Sequence, residues 1–202
     1  MATLTCTSCS AWPEWISESA AEQSAICRWL LGEAKLAHFN IPNWARQLLP
    51  MAKELGVTIA CDIQDVVNLR DGYREDFIEY ADIVFFSAVN HADPAPLIYE
   101  LLNWKPNLIA VSGMGARGCA LGTREGIRYF EPITMPAPVI DTNGAGDGLA
   151  VGFLSSYVLD GYSLDDAIRR GQIAARYTCT QKASSANLIT RDLMSAYFQR
   201  AP

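Results

Sequence analysis

The chain has 202 residues, half of them hydrophobic and 19% charged, which is enough for one ordinary domain with a real core and excludes a disordered composition. Its net charge of −6, with a pI near 4.9 and no Lys/Arg cluster, argues against nucleic acid or an anionic membrane surface as partners. No apolar run reaches the ~18 residues of a spanning helix, and Met1-Ala-Thr-Leu-Thr-Cys6 has no basic start before an apolar stretch, so a cytoplasmic chain is expected.

In chain order, residues 1 to about 18 show no clear period. Ser19-Ala-Ala-Glu22 has the form of a capping box, and Ile26, Trp29 and Leu30 follow at helical spacing, which predicts a helix over 20–31. A short strand over 35–39 comes next. Pro42 then opens a predicted helix to Leu55 with Trp44, Leu48, Met51 and Leu55 on one face. The apolar strand Val57–Cys61 follows, then a helix over 73–80, a strand over 83–86, a helix over 94–104 and a strand over 108–111. This alternation predicts βαβ units: an α/β fold with a mostly parallel sheet covered on both faces, three layers in all. Residues 118–121 and 126–130 are expected as an antiparallel hairpin. Ser163-Leu-Asp-Asp166 starts a helix to about Gln181, and Thr190 caps a last helix with Leu193, Tyr197 and Phe198 inward.

Six cysteines lie at 6, 9, 27, 61, 119 and 179. Cys61 and Cys119 fall in strand-like runs and read as small buried hydrophobes. Cys6-Thr-Ser-Cys9 has no second ligand pair, and His38 and His91 are not at metal spacing, so a metal cage made by protein alone is not expected.

The chemistry concentrates in Asp141-Thr-Asn-Gly144-Ala-Gly146-Asp147-Gly148, which opens into the apolar run Leu149-Ala-Val-Gly-Phe-Leu154. A glycine-bearing loop that feeds a helix N-terminus is an anion site, because the first N–H groups lack intrahelical partners and face the positive end of the dipole. An isolated Gly-x-Gly-Asp reads more readily as a glycine turn whose aspartate complements the dipole.

The complete run Asp-Thr-x-Gly-Ala-Gly-Asp-x-x-x-x-Gly-Phe-Leu resembles the C-terminal signature of the PfkB (ribokinase-like) carbohydrate kinases. The resemblance implies a ribokinase-like, Rossmann-like three-layer fold. It also implies an ATP-dependent phosphotransferase acting on a hydroxyl of a sugar or nucleoside, with magnesium and a monovalent cation, K+, as cofactors. Asp147 becomes the catalytic carboxylate, and Gly144, Ala145 and Gly146 the anion hole. Asn90-x-x-Asp93 stands where the family has Asn-x-x-Glu, which holds magnesium through water. Asp93 ahead of Pro94 reads as a helix cap as well. Gly113-Met-Gly115-Ala-Arg-Gly118 resembles the nucleotide turn Thr-Leu-Gly-x-x-Gly, with Gly113 in place of threonine and Ser112 as a candidate replacement hydroxyl. Ala183 and Asn187 correspond to the adenine pocket, and Asp141 and Asn143 to the monovalent cation site. Arg117 and Lys182 read as phosphate contacts or as solvated surface charge.

The resemblance spans about residues 35–200, so residues 1–34 are an unassigned segment with one helix and 35–202 the C-terminal part of the kinase domain. The family's preceding sugar-binding and lid portion, often a dimer interface, has no counterpart here. Two readings follow: a sugar or nucleoside kinase of this family, as a truncated gene product or an unusually short form, with a homodimer as its expected partner state, or a non-catalytic nucleotide-binding remnant.

Overall fold

The structure is a computed structural model that describes residues 20–182 and 187–200. Ser19 of the expected capping box, Cys6, Cys9 and Ala183 lie outside the described residues. Six strands form one sheet in the order β1-β2-β3-β4-β5-β6. They are β1 (Leu36–Phe39), β2 (Thr58–Asp65), β3 (Ile83–Ser87), β4 (Ile109–Gly113), β5 (Cys119–Thr123) and β6 (Gly126–Phe130). The first four are parallel and β4-β5-β6 antiparallel. Strand β3 is buried along nearly its whole length, as a parallel strand covered on both faces must be.

Side chains alternate across the sheet and divide the core. Val84, Phe86, Ala110 and Ala120 meet α2 (Leu49–Glu54), α3 (Glu75–Tyr80) and α4 (Ala95–Trp104) on one face. Ala60, Phe85, Val111 and Leu121 meet α5 (Ala145–Leu154) and α6 (Leu164–Thr178) on the other. Helix α1 (Ala20–Gly32) is tied to α2 by Arg28–Glu54, and α7 (Arg191–Arg200) packs on α6 through Met194, Ile173 and Ala174. The Lys105 ammonium donates to the carbonyls of Ile78, Glu79 and Ala81 and so closes the end of α3. Among the described residues, no helix is long and apolar enough to cross a membrane.

The predicted elements all occur, with differences of detail. The helix expected from Pro42 to Leu55 is a 3-10 helix over Asn43–Leu48 that passes into α2, with Pro50 in the first turn of α2. The fully buried positions there are Ala45, Leu49 and Ala52, so Trp44, Leu48 and Leu55 lie at the margin of the core. Helix α6 stops at Thr178, and α7 buries Met194 rather than Leu193. Past Leu154, a π-helical turn over Ser155–Leu159 extends α5. The caps behave as expected: Ser163 accepts from the Asp166 N–H, and Thr190 from the Leu193 N–H.

Helices α5 and α6 meet backbone to backbone. A Cβ on Gly152 would lie 2.8 Å from the Ala174 methyl and 2.9 Å from the Gly171 Cα, and one on Gly148 would lie 3.1 Å from the Ala175 Cα. Such spacing admits no side chain. Gly152→Leu is therefore expected to cost about 3 kcal/mol or more through overpacking of a fixed helix pair, whereas Gly146→Ala, with nothing within 4 Å of its Cβ, stays within about 1 kcal/mol. Urea denaturation of the two variants checks this, and equal losses would contradict the packing account.

Candidate active site

The glycine contact between α5 and α6 sets where α5 begins, above the carboxyl ends of the parallel strands. Gly144 holds the left-handed conformation there, at φ 78°, and no side chain caps the helix. The Ala145 N–H turns back to the Thr142 carbonyl at 3.2 Å; of the expected anion hole, the N–H groups of Gly144 and Gly146 have no backbone acceptor among the described residues, and neither has that of Asp147. Gly146 is exposed, has an ordinary backbone and sits in open space, so the fold itself would accept alanine. A glycine at that place keeps the surface bare for close approach. Asp147 is exposed in the same first turn.

The charge of Asp147 reaches two partly buried polar groups, His38 and Asp62. Parallel register sets His38 beside Ala60 and Phe39 beside Cys61, and Asn40 follows the end of β1. His38 and Asp62 are on the α5 face, and the His38 ring meets Phe85 edge-on at 6.0 Å. His38 Nε2 and Asn40 Oδ1 are buried without a partner. Burial pushes the His38 imidazole below its usual pKa, against the opposing pull of Asp147, so the ring is neutral at pH 7. Burial likewise pushes the Asp62 carboxyl up to about 6; the Gln64 N–H opposes this, and the charges of Asp147 and Asp65 add to it. Strand β2 is irregular here: its register to β3 shifts between Asp62 and Asp65, and Gln64 has a φ of 59° while donating to Asp62 Oδ1 at 2.8 Å. A non-glycine residue in that conformation is strained, and it leaves Asp62 and Asp65 differently aimed. The polar pair His38 and Asn40, two residues apart ahead of Pro42, was the signal available in the sequence.

The nucleotide turn and the expected magnesium loop are joined. Strand β4 ends at Gly113, whose Cβ would face Leu149 of α5 at 3.7 Å. Ser112 is completely buried toward the opposite face with its hydroxyl unpartnered, so it cannot stand in for the missing threonine. A 3-10 turn over Gly115–Arg117 follows, and Gly118, at φ 88°, has no room for a Cβ beside the Phe130 carbonyl 2.0 Å away. The Arg117 guanidinium is neither a phosphate contact nor a free surface charge. It donates to the carbonyls of Ala92 at 2.6 Å, His91 at 2.6 Å and Ala88 at 3.1 Å. His91 reaches the Val66 carbonyl at 2.6 Å. Asp93 Oδ1 accepts from the Ala95 N–H at 3.0 Å, as a helix cap, and from the Tyr129 hydroxyl at 2.6 Å. These two bonds hold its carboxyl below the usual range. The other oxygen of Asp93 and the exposed Asn90 remain available, which fits a hydrated magnesium held through water rather than a closed cage. Among the described residues, no group of three or more His, Cys, Asp or Glu is placed to hold a metal alone.

The remaining expected positions scatter more. Asp141 and Ile140 donate their N–H groups to the Cys179 carbonyl, at 3.3 and 2.8 Å, which brings the loop before α5 to the end of α6. Asp141 Oδ1 accepts from the Asn143 N–H at 3.0 Å. Asn187 and Lys182 are exposed on either side of the residues left undescribed.

Two expectations follow. An unfolded aspartate titrates near ~3.9, so the Asp62 carboxyl holds its proton more tightly when folded; the stability it confers is complete below about pH 4 and is lost as pH rises through about 6. Asp62→Asn keeps an oxygen for the Gln64 N–H, and should match wild type near pH 4 but exceed it by on the order of 2 kcal/mol at pH 7.5 in urea denaturation. A variant less stable at both pH values would contradict this. Arg117→Met should cost about 1–3 kcal/mol and speed hydrogen exchange at residues 88–93, with no rescue by lysine, which lacks the planar fork. Unchanged exchange there would contradict the tether.

Comparison with known proteins bears on the family and the fold. The pattern of the pfkB family carbohydrate kinases matches residues 78–191. Acarbose 7(IV)-phosphotransferase of an Actinoplanes species is 31% identical over 160 residues, which is 78% of this chain and 53% of that protein. Fructoselysine 6-kinase of Escherichia coli is 28% identical over 153 residues, 73% of this chain and 55% of that protein. The chain thus spans about half the length of these relatives. Among solved structures, a microbiome-derived acarbose kinase superposes with a TM-score of 0.79 at 27% identity, covering 87% of this chain and 59% of its own. A ribokinase of Thermotoga maritima shares the fold at a TM-score of 0.69 and 16% identity, covering 85% of this chain and 59% of its own. The chain belongs to the pfkB family of carbohydrate kinases, with their three-layer ribokinase-like α/β fold.

Proposed function

We propose that this chain carries the phosphoryl-transfer centre of an ATP-dependent kinase whose acceptor is a hydroxyl of a sugar or nucleoside. The observation that carries the reading is the first turn of α5: N–H groups at Gly144, Gly146 and Asp147 without a backbone acceptor among the described residues, the Asp147 carboxylate in the same turn, and His38 and Asp62 within reach of its charge.

In this reading the γ-phosphate of ATP rests against the N-terminus of α5, where the N–H groups and the helix dipole stabilise charge as it grows on the phosphoryl oxygens. The Gly113–Gly118 turn borders the nucleotide. The acceptor hydroxyl lies between Asp147 and the γ-phosphorus. A bond forms from its oxygen to that phosphorus, the bond from phosphorus to the β–γ bridging oxygen breaks, ADP departs, and the hydroxyl proton passes to the Asp147 carboxylate. Magnesium, when bound with the nucleotide, neutralises phosphate charge, and Asn90 and Asp93 would hold it through its waters. Arg117 and Tyr129 keep that loop in register with the nucleotide turn.

The test is to titrate MgATP into wild type and Asp147→Ala and to screen sugars and nucleosides for ADP release. Wild type should transfer phosphate, and the variant should retain ATP affinity within a few-fold while losing transfer by about a thousandfold or more. ATP binding without transfer to any acceptor would leave only a nucleotide-binding protein.

A further inference from the structure

His91 stands where three loops at the carboxyl edge of the sheet meet. Its ring Nε2 lies 2.6 Å from the Val66 carbonyl, in the loop after β2. Its own carbonyl accepts from the Arg117 guanidinium at 2.6 Å, from the turn after β4. Its N–H donates at 3.1 Å to the Ala88 carbonyl, which Arg117 also reaches at 3.1 Å. A carbonyl only accepts, so Nε2 carries a proton and the ring is the donor to Val66. His91 is half-buried, whereas Asn90 before it and Ala92 and Asp93 after it are exposed. The two residues that would hold magnesium through water therefore flank a side chain that turns inward to another loop. Val89 of the same loop lies against the nucleotide turn, 3.3 Å from where a Cβ on Gly115 would stand.

The far end of this set of bonds can yield. Just before Val66, strand β2 departs from straight pairing: its register to β3 shifts between Asp62 and Asp65, and Gln64 is strained at φ 59°. A bulge of this kind takes up a small displacement of the loop without parting the strands. Arg74 holds the carbonyls of Ile63 at 3.0 Å and Asp65 at 2.9 Å, which leaves the next carbonyl, that of Val66, to the loop after β3.

We infer that His91 is a positioning residue that couples binding of the magnesium nucleotide to the loop after β2. This rests on the phosphotransferase reading above and adds a device that regulates the same site. As Asn90 and Asp93 settle on the waters of the magnesium, and the Gly113–Gly118 turn on the nucleotide, the ring of His91 moves with its loop and carries the Val66 carbonyl along. His91 needs no contact with the nucleotide to do so.

The experiment follows amide chemical shifts of the intact chain as the magnesium complex of the β,γ-imido analogue of ATP is added to wild type, His91→Phe, His91→Asn and His91→Gln. Phenylalanine keeps a ring without a donor. Glutamine places its amide nitrogen as many bonds from Cβ as Nε2, and asparagine falls one bond short. In wild type, residues 65–67 should shift with the same midpoint as 88–93 and 113–118. In His91→Phe and His91→Asn the latter two segments should still shift, with affinity within about fivefold of wild type, while 65–67 lose most of their response. His91→Gln should restore it. A role in packing alone would lower stability in urea and leave the wild-type pattern of shifts, which overturns the inference. So does a wild-type chain in which 88–93 and 113–118 shift and 65–67 do not. The comparison of His91→Asn with His91→Gln keeps the test valid where His91→Phe fails to fold. No shift at 113–118 or 144–147 in wild type removes the nucleotide reading itself, and the coupling with it.

Discussion

The site depends on how closely two helices can approach. Gly148 and Gly152 of α5 lie against Gly171, Ala174, Ala175 and the Thr178 hydroxyl of α6, too close to carry side chains of their own. This contact, and the seating of Leu149, Ala150 and Phe153 on the sheet, fixes the angle and depth of α5. A helix N-terminus is useful as an anion site only if its few open donors converge on one place. The small residues in the second and later turns of α5 therefore serve the donors in its first turn. Gly146 differs from them: it packs on nothing, and its lack of a side chain matters only to what approaches from outside.

Electrostatics then divide the carboxyl edge of the sheet. At the loop after β3, a cation is placed where it organises backbone: Arg117 gathers the carbonyls of Ala88, His91 and Ala92, and Tyr129 takes Asp93. At the end of β2 the charges are negative and partly buried, and the fold retains Asp62 although burial favours its neutral form. A group kept against its own contribution to stability, beside a strained residue, is the pattern expected where function rather than packing chose the side chain.

Much of this was legible in the sequence, for identifiable reasons. The alternation of apolar strands and amphipathic helices gave the parallel sheet, because interior strands such as Ile83–Ser87 must be apolar on both faces. The run from Asp141 to Leu154 gave the loop, the helix start and the position of Asp147, because each needs a local residue type. What stayed hidden was long-range. Nothing local to Arg117 says that its guanidinium ends on carbonyls some 25 residues earlier. Nothing local to His38 says that parallel register sets it beside Ala60, within reach, like Asp62, of the Asp147 charge. The misplaced stripe of Trp44, Leu48, Met51 and Leu55 has a local cause instead: a tighter 3-10 turn precedes α2, and the period of one regular helix no longer applies.

The central claim is that α5 presents its first-turn amides to phosphate while β4 and its turn border the rest of the nucleotide. Amide chemical shifts, followed by NMR as a non-hydrolysable MgATP analogue is added, test it most directly. The largest shifts are expected at residues 144–147 and 113–118, with smaller ones along 88–93. Shifts confined to other parts of the sheet, or saturable binding that leaves Gly146 and Asp147 unmoved, would contradict it.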